Sequence, residues 1–236
     1  MSGVKDGTGS TENAFMAAFA LDSKNVRDIS PLLLDGRGRL CVVPAATLAS
    51  TTPEERLLFG VRHGIYSFPT QELCAHLRAV IGGRTAIEIG AGHGVLAQAL
   101  GIPATDNRQQ EDAAVRAYYQ ILGQPTVPYG EHVEKLDAAE AVAKYKPAVV
   151  IACWVTHAFD PDQPERGGSA SGVDEASIVA ACDEYVFVGN EQVHAPKPIL
   201  ALRHERDTPG WLYSRAMNGS RDFIAIWSRS RQGRSL

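Results

Sequence analysis

The residues best placed to do chemistry lie in Thr85-Ala86-Ile87-Glu88-Ile89-Gly90-Ala91-Gly92-His93-Gly94, with Asp106 twelve positions beyond the last glycine. Thr85 to Ile89 is short, apolar and β-branched, the pattern of a buried parallel strand. Glycines at alternate positions then let the backbone turn sharply and press against a ligand, because they lack a Cβ and adopt positive φ cheaply. Val95 to Leu100 opens a helix whose N-terminus carries partial positive charge and free N–H groups. Ile102 to Asp106 is a second short strand, ending in a carboxylate able to accept hydrogen bonds from ribose hydroxyls. The spacing is not the Gly-x-Gly-x-x-Gly of dinucleotide enzymes, and no Gly-Lys-Ser/Thr follows as in a Walker loop. Either a nucleoside poor in phosphate sits here, or the bend is a tight β–α turn that binds nothing.

Other chemistry-bearing residues are scattered. His157, just past a second apolar run, could take a proton as a neutral imidazole or simply hydrogen-bond to backbone. Asp160-Pro161-Asp162 has the hard oxygen ligands that Mg²⁺ takes, but reads more simply as a proline turn, so no metal is expected. Cys153 has no cationic neighbour or helix start to depress its pKa, which argues against a nucleophilic thiol.

Composition narrows the classes. The 236 residues suffice for one substantial domain with an appended segment. A net charge of −4 gives no basic field for nucleic acid. No run approaches the roughly 18 apolar residues of a membrane span. Met1 to Asn13 is polar, without the apolar core of a signal peptide. Cys41, Cys74, Cys153 and Cys182 lie far apart in apolar surroundings and read as reduced core thiols. The expected setting is the cytoplasm, with a small-molecule partner and neither nucleic acid nor membrane. The chain divides into a disordered tail (1–13), an N-terminal cap (14–70), an α/β domain (71–230) and a basic tail (231–236).

Along the chain, Ala14 to Leu21 is a short apolar helix, and Asp35-Gly36 between apolar runs signals a hairpin. Thr52 caps a helix starting at Pro53, and Thr70 with Glu72 caps Gln71 to Ile81, which ends at Gly82-Gly83. Arg62 to Thr70 is a loop rich in aromatics. Further helices cover Glu111–Leu122, Ala138–Tyr145 and Asp174–Cys182. Weak extended pieces lie at Val127–Tyr129 and His132–Leu136, and strong strands at Ala148–Val155 and Tyr185–Gly189. Thr156 to Val173 reads as a flexible loop. Trp211–Arg215 and Phe223–Trp227 flank Asn218-Gly219 as a terminal hairpin. Strands alternating with helices imply a mostly parallel sheet, whose ligands collect at the carboxyl ends of the strands. That geometry gathers the bend, Asp106, Asp137, Trp154 to His157 and Asn190-Glu191 around one crevice.

This arrangement resembles the S-adenosylmethionine (SAM)-dependent methyltransferases of the Rossmann-like class, over roughly Gln71 to Trp227. Glu88 to Gly94 matches their first motif, whose glycine turn packs under the methionine part of SAM. Asp106 matches the ribose acid, Asp137-Ala138 the motif that meets the adenine amine, and the last hairpin their reversed final strand. One departure is the short interval from Gly94 to Asp106, which requires a short first helix. The resemblance implies an α/β fold with a mostly parallel Rossmann-like sheet and a reversed C-terminal strand. It implies SAM bound by Glu88, Gly90, Gly92, Gly94, Asp106, Asn107, Asp137, Ala138 and Cys153. Where base-amine methylating enzymes carry Asn/Asp-Pro-Pro-Tyr, this chain has Ala152 to His157, which points away from nucleic-acid amines.

With a sulfonium in the site, Tyr66 and Trp154 could face it, since an aromatic ring attracts a desolvated cation by about 0.5–2 kcal/mol. Trp154 could equally be a core aromatic, and Tyr66 a lid residue. Asn190-Glu191 and Tyr213-Ser214-Arg215, near the expected rim, could orient an amine or carboxylate or be solvated surface. Two reactions follow. One is methyl transfer to a small molecule. The other is cyclisation of SAM itself, as in the azetidine-2-carboxylate synthases, which the chain also resembles in having little mass dedicated to an acceptor. Tyr66, Trp154, Thr156 and His157, with His63, would then contact the sulfonium and curl the aminobutyl chain. A third reading is a module that binds an adenosyl compound without catalysis.

Overall fold

The computed structural model describes residues 25–229. The expected tails and the helix at Ala14 to Leu21 lie outside the described residues. The α/β expectation holds: seven strands form one sheet in the order β3-β2-β1-β4-β5-β7-β6. These are β1 (Ala86–Ile89), β2 (Ala104–Asp106), β3 (Val133–Lys135), β4 (Val149–Cys153), β5 (Glu184–Asn190), β6 (Glu205–Asp207) and β7 (Asp222–Ser228). The first five pair in parallel, with Glu88 between Ala104 and Ile151. β7 runs antiparallel beside β5, Glu184 facing Ser228.

Alternation of side chains across β4 and β5 buries both faces of the sheet. Val150, Ala152, Tyr185 and Phe187 face one layer, which α7 (Ala138–Tyr145) and α8 (Glu175–Ala181) cover. Val149, Ile151, Val186 and Val188 face the other, under α4 (Gln71–Ile81) and α5 (Val95–Leu100). Strands buried on both faces explain the near-continuous apolar runs of the sequence. Residues ahead of α4 carry α1 (Ser30–Leu33), α2 (Ala45–Ala49) and α3 (Pro53–His63), and build a separate apolar cluster around Leu48, Phe59 and Phe68.

Caps set the helix ends. Thr52 and Glu55 close a reciprocal capping box at α3, which stops at left-handed Gly64. Thr70 accepts the Leu73 N–H to start α4. Glu72 does not share that cap. Its carboxylate takes the Ala45 N–H at 2.8 Å and ties α2 to α4. α5 has only six residues between left-handed Gly94 and Gly101, so the short interval to Asp106 is met by a short helix.

Three expectations need correction. The partner of β7 is β6, not Trp211–Arg215, which stays irregular except for a bridge from Ser214 to Ser67. The Asp-Gly hairpin shrinks to one bridge, Leu34 to Leu40, because Asp35 folds onto the Arg37 and Arg39 N–H groups. Val127–Tyr129 is not a strand. The Thr156–Val173 loop folds back on itself, His157 beside Val173 and Ala158 beside Ser169. Asp160 accepts from the Asp162 N–H and the Gln163 amide within a turn.

Beneath this loop lies a buried ion pair. Lys197 Nζ is 2.6 Å from Glu175 Oε2, with side chains 1% and 2% exposed. Lys197 also donates to the Val155 carbonyl at 2.9 Å, and the Tyr185 hydroxyl donates to Glu175. Removing one partner strands the other charge in low dielectric. Lys197→Met is expected to cost about 3–5 kcal/mol in urea unfolding, and adding Glu175→Gln should recover part of that loss.

Candidate functional site

The carboxyl ends of β1, β2 and β4 open into a cavity of about 240 Å³. Its floor is the bend after β1. Gly90 has φ +58°, and a Cβ there would stand 2.5 Å from Val155 Cγ1. Gly94 has φ +73°, and a Cβ there would meet Val133 Cγ2 at 2.5 Å and His132 Nε2 at 2.6 Å. Neither position accepts a side chain without moving its neighbours.

Two buried carboxylates hold this bend. Asp106 Oδ2 accepts the Gly92 N–H at 3.0 Å, and Oδ1 accepts the Arg108 N–H at 2.7 Å. Glu88, 2% exposed, takes the Ala97 N–H of α5 at 2.8 Å. Burial pushes the Glu88 carboxyl up to about 8, and the nearby Asp106 adds to the rise against the pull of the Ala97 N–H. Burial raises Asp106 also, opposed by its two backbone donors. His93, beside the bend, is pushed down to about 4 by burial and lies near His132.

The cavity brings together most of the residues expected there. Glu88, Gly90, Gly92, Asp106, Asn107, Ala138 and Cys153 line it, as do Tyr66, Trp154 and Thr156. The Asn107 amide donates to the Ser171 carbonyl, so it links β2 to the loop after β4. Burial holds the Cys153 thiol at about 12, protonated rather than nucleophilic. Trp154 adopts φ +60°, a strained conformation for a bulky residue, and its indole Nε1 is buried without a hydrogen-bond partner. The rings of Tyr66 and Trp154 lie 6.1 Å apart, and the Arg215 guanidinium already stacks on Tyr66 at 3.7 Å.

Three expected residues are elsewhere. Gly94 serves the turn into α5 and does not line the cavity. Asp137 spends its carboxylate on the Glu140 N–H as the N-cap of α7, in a reciprocal box with Glu140. His157 lies 8% exposed with Nε2 3.2 Å from the Arg166 carbonyl, so that nitrogen carries its proton inside the loop. Burial keeps its pKa below the ordinary value. It does not reach the cavity as a base.

Other lining residues escaped the sequence reading. Gln110 donates to the Tyr119 hydroxyl at 3.0 Å and accepts the Val127 N–H at 2.8 Å, joining α6 (Ala113–Ile121) to the 127–129 segment. Burial lifts the Tyr119 hydroxyl well above its ordinary range, helped by Tyr66 and opposed by the Arg215 cation. Tyr129, also raised by burial, completes this wall. The only sequence signal for them is the helical period that carries Tyr119. Among the described residues no cluster of His, Cys, Asp and Glu could hold a metal ion, and no helix is long and apolar enough to cross a membrane.

No family model and no curated protein matches the chain. Among solved structures, it is similar to a precorrin-6y C5,15-methyltransferase from Geobacter metallireducens at 14% identity. The match covers 67% of this chain and 90% of that one, with a TM-score of 0.37. A magnesium protoporphyrin IX methyltransferase from Synechocystis, with bound SAM, matches at 16% identity, 67% and 79% coverage and a TM-score of 0.33. A Bacillus cereus O-methyltransferase in complex with SAH matches at 10%, 67% and 81%, with 0.36.

The carboxylates give a pH test. Glu88 holds its proton up to about 8 when folded against an ordinary 4.5, so the folded state binds more protons and stability falls as pH rises through that window. His93, at about 4 against 6.5, acts in the opposite sense, but only below pH 6.5. Between pH 6.5 and 8, the wild type is expected to lose about 2 kcal/mol more than Glu88→Gln, measured by urea unfolding across the range.

Proposed function

We propose that this chain binds S-adenosylmethionine in the cavity and transfers its methyl group to a small molecule. The observation that carries the reading is the carboxylate of Asp106, aimed at a Cβ-free bend and tied to it through the Gly92 N–H. Each Asp106 oxygen keeps a second lone pair for a ribose hydroxyl. Leu136 and Ala138 give an apolar slot for a base, and Glu88 gives an acceptor beside the bend. The polar and apolar parts of an adenosyl ligand thus have counterparts among the lining residues.

SAM supplies a strong electrophile at its sulfonium, so the protein has mainly to align the partners and exclude water. Tyr66, Trp154 and Thr156 also line the cavity and would surround the reacting groups. The segment ahead of α4, within the region 14–70, acts as the cover, with Tyr66 as its inner contact. The 156–173 loop forms a second wall through Ser171 and Val173. The site residues proposed for SAM are Glu88, Gly90, Gly92, Asp106, Asn107, Ala138 and Cys153. An acidic chain with no basic field and no base-amine motif favours a small acceptor.

A second reaction open to the same site is cyclisation of SAM itself, which needs no acceptor. There the α-amine attacks the γ-carbon and methylthioadenosine leaves, giving azetidine-2-carboxylate. Incubation with SAM alone separates the two: methylthioadenosine without any acceptor supports cyclisation, whereas S-adenosylhomocysteine that appears only with an acceptor supports methyl transfer. Neither product, with SAM still bound, would leave a binding module. Asp106→Asn is expected to weaken SAM binding about 10- to 100-fold by calorimetry, the worth of a charged hydrogen bond. Unchanged affinity would remove the ribose assignment.

A further inference from the structure

Arg215 is buried to 4% exposure, yet none of the ion pairs among the described residues includes its guanidinium. It is held in place from three sides. Its backbone N–H donates to the Tyr66 carbonyl at 3.0 Å. Its stem runs over Gly60 of α3, where an added Cβ would lie 2.7 Å from Arg215 Cβ and 3.1 Å from Cδ. Its head stacks 3.7 Å over the ring of Tyr66. A bare glycine and an aromatic ring thus make room for a cation and fix its plane.

Stacking uses the face of a guanidinium and leaves its five N–H donors in the plane free. A buried cation without an anion is costly, whereas one that receives a planar carboxylate gains a bidentate, charge-assisted pair. Arg215 lies one ring behind the cavity wall, next to Tyr66 and Tyr119, both of which line the cavity. An anion at the edge of Tyr66 would meet these in-plane donors.

We propose that Arg215 is the receptor for a carboxylate of the bound substrate, at the end of the cavity walled by Tyr66 and Tyr119. The proposal deepens the adenosyl reading and rests on it for the identity of the ligand. The carboxylate has two sources: the amino-acid end of SAM, or a carboxylate-bearing acceptor. In either case Arg215 selects for an anionic substrate, and the Tyr66 ring serves to carry that arginine as well as to face the ligand.

The test is calorimetry on the full chain with three adenosyl probes. SAM carries the carboxylate, decarboxylated SAM lacks it, and 5′-methylthioadenosine lacks the whole amino-acid end. If SAM is the source, the wild type prefers SAM over decarboxylated SAM by roughly tenfold or more. Arg215→Gln then loses that preference while binding methylthioadenosine as before, and Arg215→Lys keeps part of it. If the acceptor is the source, SAM affinity is unchanged in Arg215→Gln, and benzoate titrated into protein saturated with S-adenosylhomocysteine binds the wild type but not the variant. Equal binding of all three probes by wild type and Arg215→Gln, with no benzoate uptake, overturns the proposal. Should the variant not fold, the wild type's own ratio of SAM to decarboxylated SAM and its benzoate titration decide. Failure of every adenosyl probe to bind, with Arg215-dependent benzoate uptake, would instead overturn the adenosyl reading and leave the carboxylate receptor standing.

Discussion

Two buried acids grip the backbone after β1, and the rest of the site is arranged about that grip. Glycines alone make a bend possible but not unique, since each adds conformational freedom to the unfolded chain. Asp106 and Glu88 remove that freedom by accepting the N–H groups of Gly92 in the bend and Ala97 in α5. Both acids reach it because β1 and β2 are parallel neighbours, so their tips end at the same level of the sheet. The cost is desolvation, visible in the raised pKa of each acid.

The opposite wall depends on a different constraint. β4 ends at Cys153, and Trp154 turns left-handed at once, its N–H donating to the Val188 carbonyl of β5. Lys197 then takes the Val155 carbonyl, so the chain leaves the sheet between two fixed points. A strained backbone persists only where its surroundings over-determine it. Here a strand neighbour and a buried ion pair do so, and the result aims Trp154 into the cavity. The segment ahead of α4 is attached independently, through Phe68 N–H to the Tyr213 carbonyl and Arg215 N–H to the Tyr66 carbonyl. Three separately anchored pieces therefore meet at Tyr66, where the segment ahead of α4, the segment before β7 and the cavity are in contact.

What was legible in the sequence was whatever rests on neighbours along the chain. The apolar runs at 148–155 and 185–189 could only be strands buried on both faces, and they became β4 and β5. Thr52, Thr70 and Gly82 marked helix ends because caps act within one turn. The glycine bend and an acid after the next strand were readable for the same reason, and parallel strand order then placed Asp106, Trp154 and Thr156 at one edge. Asp137 deceived because an acid at a helix start serves equally as a cap, and the capping box with Glu140 claimed it.

Tertiary structure alone decided the rest, because it depends on contacts far apart in the chain. Val127–Tyr129 became cavity wall rather than strand once Gln110 took its backbone N–H. β7 paired with residues 205–207 because the segment from 211 to 215 was drawn toward Tyr66 and Phe68. His157 turned inward when the loop after β4 closed on the Arg166 carbonyl. Arg215 became a buried cation only because Gly60 and Tyr66, some 150 positions earlier in the chain, made a slot for it. Sequence by itself determined the parallel strands at the sheet's centre, most helix caps and the bend, since hydrophobic period and local hydrogen bonds act over a few residues. Which side chains finally face the cavity was settled by packing between distant segments.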